Sequence, residues 1–389
     1  MKIWKPALSL GLAGALTAAY AFGAYAASPE FARTPEEWAR LRDNVMEYDE
    51  LEDLIAEYNV TVQTNQLDYN EFKREYGTTK DDVSQKYRDM ADEIYASLEY
   101  PDTDDPTYGM MVASVLNAEL QAKNMEKQAD DNLQDSEIVW LGYRQAEKTL
   151  VTVAQTNMVT YEKDRLAVSQ AELAAAQARL SLSSAQTREA IGTATRTDVL
   201  NAQEAVQNAD RAVESAKSSV KTVRQKLQVM TGWSYSDSPE IRDVPASDLS
   251  RIDGMNPAAD REKAIENNYA LKINKKKLAN AEASETKESL QKTIADNEQK
   301  IGSALVTSYQ NVLAAKLAYD QAAADLELEN RNLASLQLQY AQGNASRSQL
   351  ENQQYTVQAK ELALKAADLS LFQTMETYDW AVNGLAAVS

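Results

Sequence analysis

The chain has 389 residues, 40 Lys+Arg against 59 Asp+Glu for a net charge of −19, and neither cysteine nor histidine. That inventory excludes disulfides, thiolate or imidazole metal sites and the usual general base, and its acidic field repels nucleic-acid phosphates and anionic membranes. The sequence reads as no enzyme, with no catalytic site, no cofactor, no metal and no nucleic-acid partner, because its carboxylates fall at solvated helical positions.

Lys2 and Lys5 precede a small-residue apolar run from Ala7 to about Ala21 and then Ala24-Tyr25-Ala26. This order predicts a signal peptide over 1–26 and export from the cytoplasm; uncleaved, the same stretch would act as an anchor. No later run approaches the ~20 apolar residues of a spanning helix, so no direct membrane span is expected after cleavage. Low Gly and Pro with abundant Ala, Gln, Leu, Glu and Lys is the composition of long helices.

Thr34-Pro35-Glu36-Glu37 has the cap, N1 proline and N3 glutamate of a helix start. Leu41, Val45, Tyr48, Leu51, Ile55 and Tyr58 then predict one apolar stripe on a continuing helix. Gly77-Thr78-Thr79 is a candidate break, with Thr79 recapping a segment to about Leu98, and the stretch from Tyr100 to Pro106 reads as a loop. From Thr107 to about Ala190 no proline or clear breaker intervenes, which predicts one helix on the order of 120 Å.

At Gly192-Thr-Ala-Thr-Arg-Thr-Asp-Val-Leu-Asn201 this helix ends and another begins, with Thr195 as N-cap and Asp198 at N3. Gly343-Asn-Ala-Ser-Arg-Ser-Gln-Leu-Glu-Asn352 repeats the pattern with Ser346 and Gln349, keeping the arginine and asparagine in place at Arg347 and Asn352. Each motif is the elbow of a helical hairpin, at 191–198 and 342–349, and the chain is an internal duplication. Val199, Val206, Val213, Val220 and Leu227, each followed three residues later by Ala202, Ala209, Ala216, Val223 and Met230, form a five-heptad coiled-coil seam. Leu350, Val357, Leu364, Leu371 and Tyr378 repeat that spacing, and Tyr355, Leu362 and Leu369 add a second row, as in a helix with neighbours on two sides.

The expected organisation is a first helical repeat over 27–232, an irregular linker over 233–256 carrying Pro239, Pro245 and Gly254, and a second helical repeat over 257–389. The fold class is all-α, with long antiparallel coiled-coil hairpins in two repeats. Gly192 to Gly232 allows about 60 Å of helix, whereas an unbroken Pro257 to Ala341 would reach about 125 Å. Either the linker is stretched almost straight or the chain reverses within 283–288; the residues leave both open.

Ile191 to Gln203 and Tyr340 to Gln353, with Asp53 to Asn59 and Lys263 to Asn268 opening the repeats, resemble the TolC-like outer membrane efflux proteins. The resemblance covers most of the mature chain. It implies a homotrimer of twelve helices forming a duct, whose elbows dock a periplasmic-type adaptor (a membrane fusion protein) working with an inner-membrane transporter. It also implies docking roles for Gly192, Thr195, Arg196, Thr197, Asp198, Gly343, Ser346, Arg347 and Gln349, and mouth-closing contacts by Thr197, Asp198 and Tyr340. Asp198 reads equally as a plain cap acceptor. The family's arginine at the second elbow falls on Ala345 and its aspartate ring on Gln349 and Asn352, the constriction positions, with Glu351 at another helical angle. A cation-binding constriction is therefore not expected.

The family's β-barrel has no counterpart, since each spanning strand needs about 9–11 alternating residues. Glu99 to Tyr108 is too short for two strands, and Ala281 to Lys300 lacks an alternating apolar face. The expectation is a TolC-like relative without the barrel, placed in the cell envelope: periplasmic, outer-membrane-associated, or in the wall of a bacterium lacking a conventional outer membrane. The competing reading is a secreted coiled-coil scaffold of the cell surface with no transport role. An adaptor is a weaker third, since its flanking strand-rich domains are missing. Asn59-Val-Thr61 and Asn344-Ala-Ser346 fit the glycosylation pattern, which arises often by chance.

Overall fold

The computed structural model describes residues 32–104, 106–234 and 236–388; the signal-peptide segment 1–26 lies outside them. In chain order the elements are α1 (Pro35–Leu41), β1 (Val45–Met46), α2 (Leu51–Tyr58), α3 (Val60–Tyr76), α4 (Lys80–Ala96), α5 (Tyr108–Asp130), α6 (Ser136–Ala190) and α7 (Arg196–Met230). After the linker strand β2 (Glu240–Ile241) and α8 (Ser250–Gly254) come α9 (Pro257–Asn267), α10 (Tyr269–Asn280), α11 (Ser284–Ala341) and α12 (Arg347–Trp380). The described residues are all-α apart from β1 and β2, a two-residue parallel pairing, and they contain no closed barrel. No described helix is long and apolar enough to cross a membrane.

Two long hairpins dominate. α6 and α7 have 55 and 35 residues and α11 and α12 have 58 and 34, so the two shafts match in length, about 80–90 Å down and about 50 Å back. Along α7 the heptad residues turn inward as the spacing requires, with Val199, Val213, Val223 and Leu227 buried and the intervening ones half-buried.

The remaining length of each descending helix packs against the short helices that open its repeat. Lys148 on α6 pairs with Glu52 on α2. Arg261 of α9 donates to the Glu298 carbonyl of α11 (3.3 Å), and Lys275 of α10 lies 3.6 Å from the Glu298 carboxylate. The chain therefore reverses between α10 and α11, which removes the stretched linker. Ala281 and Ala283 take extended backbone (ψ 138° and 136°) and turn the chain without glycine or proline, which is why the turn left no punctuation in the sequence.

Two expected helices are divided. Asp131 to Asp135 interrupts the expected helix over 107–190. There Asn132 Nδ2 donates to the Lys80 carbonyl (3.1 Å) and Asp135 Oδ1 caps α6 by accepting from Ile138 N (2.9 Å). The stripe from Leu41 to Tyr58 is likewise not one helix: α1 stops at Leu41, β1 pairs with β2, and a 3₁₀ turn over Tyr48–Glu50 leads into α2. Its apolar residues are nevertheless inward, because Leu41, Tyr48, Leu51 and Ile55 join Val151, Met158, Leu227 and Phe372 in one core cluster. A second cluster gathers Ile252, Leu271, Ile301, Leu305, Leu371, Met375 and Tyr378. Both lie where the return helices end, leaving the lower shafts two helices thick.

The repeats share a buried fastening. Asn59 ends α2 and caps α3, its Oδ1 accepting from Thr61 N (3.0 Å) and Val62 N (3.3 Å), while Nδ2 donates to the Met230 carbonyl at the end of α7 (2.8 Å). Asn268 does the same between α9 and α10, accepting from Leu271 N (3.0 Å) and donating to the Ala386 carbonyl after α12 (2.9 Å). Gly232 (φ +89°) and Gly384 (φ +116°) sit beside these fastenings, where a Cβ would meet Tyr58 Cβ at 2.3 Å and the Asn267 carbonyl at 2.7 Å.

Candidate functional site

The elbows are built alike to the level of single hydrogen bonds. Gly192 and Gly343 take φ of +77° and +74°, a conformation that glycine adopts without the penalty of a Cβ. The following amides close the helix ends: Thr193 N donates to the Arg188 carbonyl and Asn344 N to the Gln339 carbonyl, both at 2.8 Å. The next helices begin with full capping boxes. Asp198 N donates to Thr195 Oγ1 (3.2 Å) while Thr195 N donates to Asp198 Oδ2 (2.8 Å); Gln349 N donates to Ser346 Oγ (3.2 Å) while Ser346 N donates to Gln349 Oε1 (2.7 Å).

They differ in charge. The Thr195 amide and hydroxyl hold the Asp198 carboxyl below the ordinary aspartate value of 3.8, whereas Gln349 does the same structural work without a charge. At the second elbow Arg347 Nε donates to Glu351 Oε1 (2.7 Å), which raises the Arg347 pKa; at the first, Arg196 lies 3.8 Å from Glu189.

The structure joins Thr195 to Asp198, Ser346 to Gln349 and Arg347 to Glu351. Thr197 and Asn352 stand exposed, and Tyr340 is among the exposed large apolar residues. Among the described residues no hydrogen bond or ion pair joins Tyr340 to Thr197 or Asp198, so within one chain Asp198 is a cap. No described cluster of Asp or Glu is arranged to hold a metal ion.

Where α6 meets α12, Lys163 Nζ donates to Gln373 Oε1 (2.8 Å) and Trp380 Nε1 donates to Gln155 Oε1 (2.6 Å), an antiparallel register. Lys163 precedes Gly192 by 29 residues and Gln373 follows Gly343 by 30, so the elbows end their shafts at nearly equal distances from that crossing. One row of residues has no counterpart among the expected seams. Val306, Leu313, Leu317, Leu328 and Leu338 are exposed along α11, Leu317 to 70%, in steps of seven, four, eleven and ten. They make an outward row distinct from the one formed by Ile301, Leu305 and Val312, which α12 and the short helices cover. The spacing carried that signal, but the heptads of α7 and α12 were the more regular pattern.

No protein-family profile and no curated protein matches the chain. It is similar to the solved structure of the outer-membrane channel OprN (10% identity, 89% of this chain and 92% of that chain, TM-score 0.48). It is also similar to CusC, described in terms of folding and transmembrane channel formation (12%, 95% and 99%, TM-score 0.48), and to the Campylobacter jejuni CmeC outer membrane channel (12%, 90% and 88%, TM-score 0.45).

Proposed function

We propose that this exported chain is the wall of a TolC-like helical duct in a cell-envelope export or efflux system. Three copies stand side by side around a lumen, and their elbows dock an adaptor that connects to an inner-membrane transporter. Gly192, Thr195, Arg196, Thr197 and Asp198 with Gly343, Ser346, Arg347 and Gln349 form the docking rim. Thr197, Asp198 and Tyr340 link neighbouring hairpins to close the mouth, and Gln349 and Asn352 line its narrowest part. The chain acts without catalysis, cofactor or metal.

The exposed apolar row on α11 carries this reading. Full burial of a Val or Leu side chain is worth about 1.5–3 kcal/mol, so the five residues represent on the order of 10 kcal/mol per interface, as an upper bound. A helix in a closed wall has neighbours on both flanks, and such a wall would remove this row from water. The levelled, duplicated elbows support the same assembly, because a rim needs every hairpin to end at one height.

The test uses Thr197→Cys together with Tyr340→Cys in a chain that has no other cysteine. Mild oxidation should give a ladder ending at trimer. Absence of any crosslink between chains would reject the closed mouth and favour a cell-surface coiled-coil scaffold.

A further inference from the structure

The repeats differ most at the end away from the elbows. The second repeat turns tightly at Ala281–Ala283, whereas the first inserts the α4–α5 hairpin, and both departures occur at one level. Asn280 Nδ2 donates to the Leu133 carbonyl (3.0 Å) and to Asp135 Oδ2 (2.8 Å), and Lys80 pairs with Glu282. From that shared level the hairpin projects alone. Ser84 Oγ donates to the Ala129 carbonyl (2.9 Å) near its base and Tyr100 OH to Glu119 (2.7 Å) near its tip, so the two helices are antiparallel throughout.

α5 carries two seams. Val115, Ala122 and Ala129, with half-buried Met111, Ala118 and Met125, face α4. On the opposite side Gly109, Ala113, Leu116, Leu120, Lys123 and Lys127 recur at alternating four- and three-residue steps and are all exposed, Leu116 and Leu120 each to 58%. The outward side of α4 shows Asp81, Gln85, Arg88, Asp92 and Ala96, with Glu99 just beyond its end, also exposed. In the hairpin's register Lys123 stands level with Asp92 and Leu120 with Ala96, while Lys127 stands level with Arg88, which pairs with Asp130 of its own α5 (3.2 Å), and with Asp89 on the flank of that seam. Among the described residues none of Lys123, Lys127 and Asp92 has an ion-pair partner.

We propose that the α4–α5 hairpins of neighbouring copies pack side by side into a helical collar, the outward seam of α5 in one copy against the outward seam of α4 in the next. Rotational symmetry brings equal levels together, so Lys123 meets Asp92 and Leu120 meets Ala96 around a closed heterologous ring. The acidic turn containing Asp102 and Asp104 disfavours an anionic lipid surface as the occupant. The collar rests on the duct reading above and extends the wall beyond the point where the second repeat turns back.

The test is Asp92→Cys with Lys123→Cys in the full mature chain, oxidised in parallel with the elbow pair Thr197→Cys/Tyr340→Cys. The expected result is a ladder to trimer from both pairs and no trimer from either collar cysteine alone. A ladder from the elbows with none from the collar overturns the collar and leaves the duct standing; silence from both pairs overturns the duct reading with it. Flotation with phosphatidylcholine vesicles that Leu116→Lys abolishes, with no collar crosslink, would assign the seam to a membrane and overturn the proposal.

Discussion

Replacing Asn268 by alanine removes two interactions at once from a buried position. The α10 start loses its cap from Oδ1 to Leu271 N, worth about 1 kcal/mol and up to about 2. The Ala386 carbonyl, on a buried residue, loses its donor, and an unsatisfied buried polar group costs about 1–3 kcal/mol. The sum is a loss of about 2–5 kcal/mol. Asn268→Asp separates the two terms: it keeps the cap acceptor but turns an anion toward the carbonyl, so it should destabilise at least as much. Guanidinium unfolding followed by helical circular dichroism at pH 7 measures both, and Asn59→Ala, which detaches the end of α7, serves as the matched variant in the first repeat. A change below about 0.5 kcal/mol for Asn268→Ala, or an aspartate variant as stable as the parent, would refute the fastening role.

Gly232→Ala should destabilise by several kcal/mol, since a positive φ and a Cβ 2.3 Å from Tyr58 Cβ act together, while Gly192→Ala, in open space, should cost only about 1–2 kcal/mol; the melting temperatures should rank accordingly. Ala283 is the N-cap of α11 and offers no side-chain acceptor, so Ala283→Ser should stabilise by about 0.5–1 kcal/mol in the same unfolding assay. The Asp198 carboxyl titrates below its ordinary value, so its contribution is complete above that value and is lost as pH falls through the lower folded one. Hydrogen exchange compared between the elbows at each pH should show residues 195–199 loosening in acid while 346–350, capped by neutral Gln349, hold.

The elements that spoke clearly in the sequence were those specified by local chemistry. Gly192 and Gly343 with their capping boxes, the heptads of α7 and the Thr79 recap of α4 each satisfy their own backbone within a few residues, so the pattern and the structure coincide. The reversal at Ala281–Ala283 was legible only as a conflict of lengths, because its stability comes from α10 and α11 packing on either side. The division between α5 and α6 had a local sign, Asp135-Ser136-Glu137 ahead of Ile138, but no glycine or proline drew attention to it. Asn59 and Asn268 stood in the segments that opened each repeat. Their second bonds, to Met230 and Ala386, join residues more than 100 apart and leave no periodic trace.

The number of copies in the assembled particle tests the account most directly. Multi-angle light scattering of residues 27–389 at micromolar concentration should give three chain masses, with Leu317→Lys on the exposed row of α11 shifting the particle toward one. A strictly monomeric parent across that range, or a trimer indifferent to Leu317→Lys, would contradict a wall held together by that row.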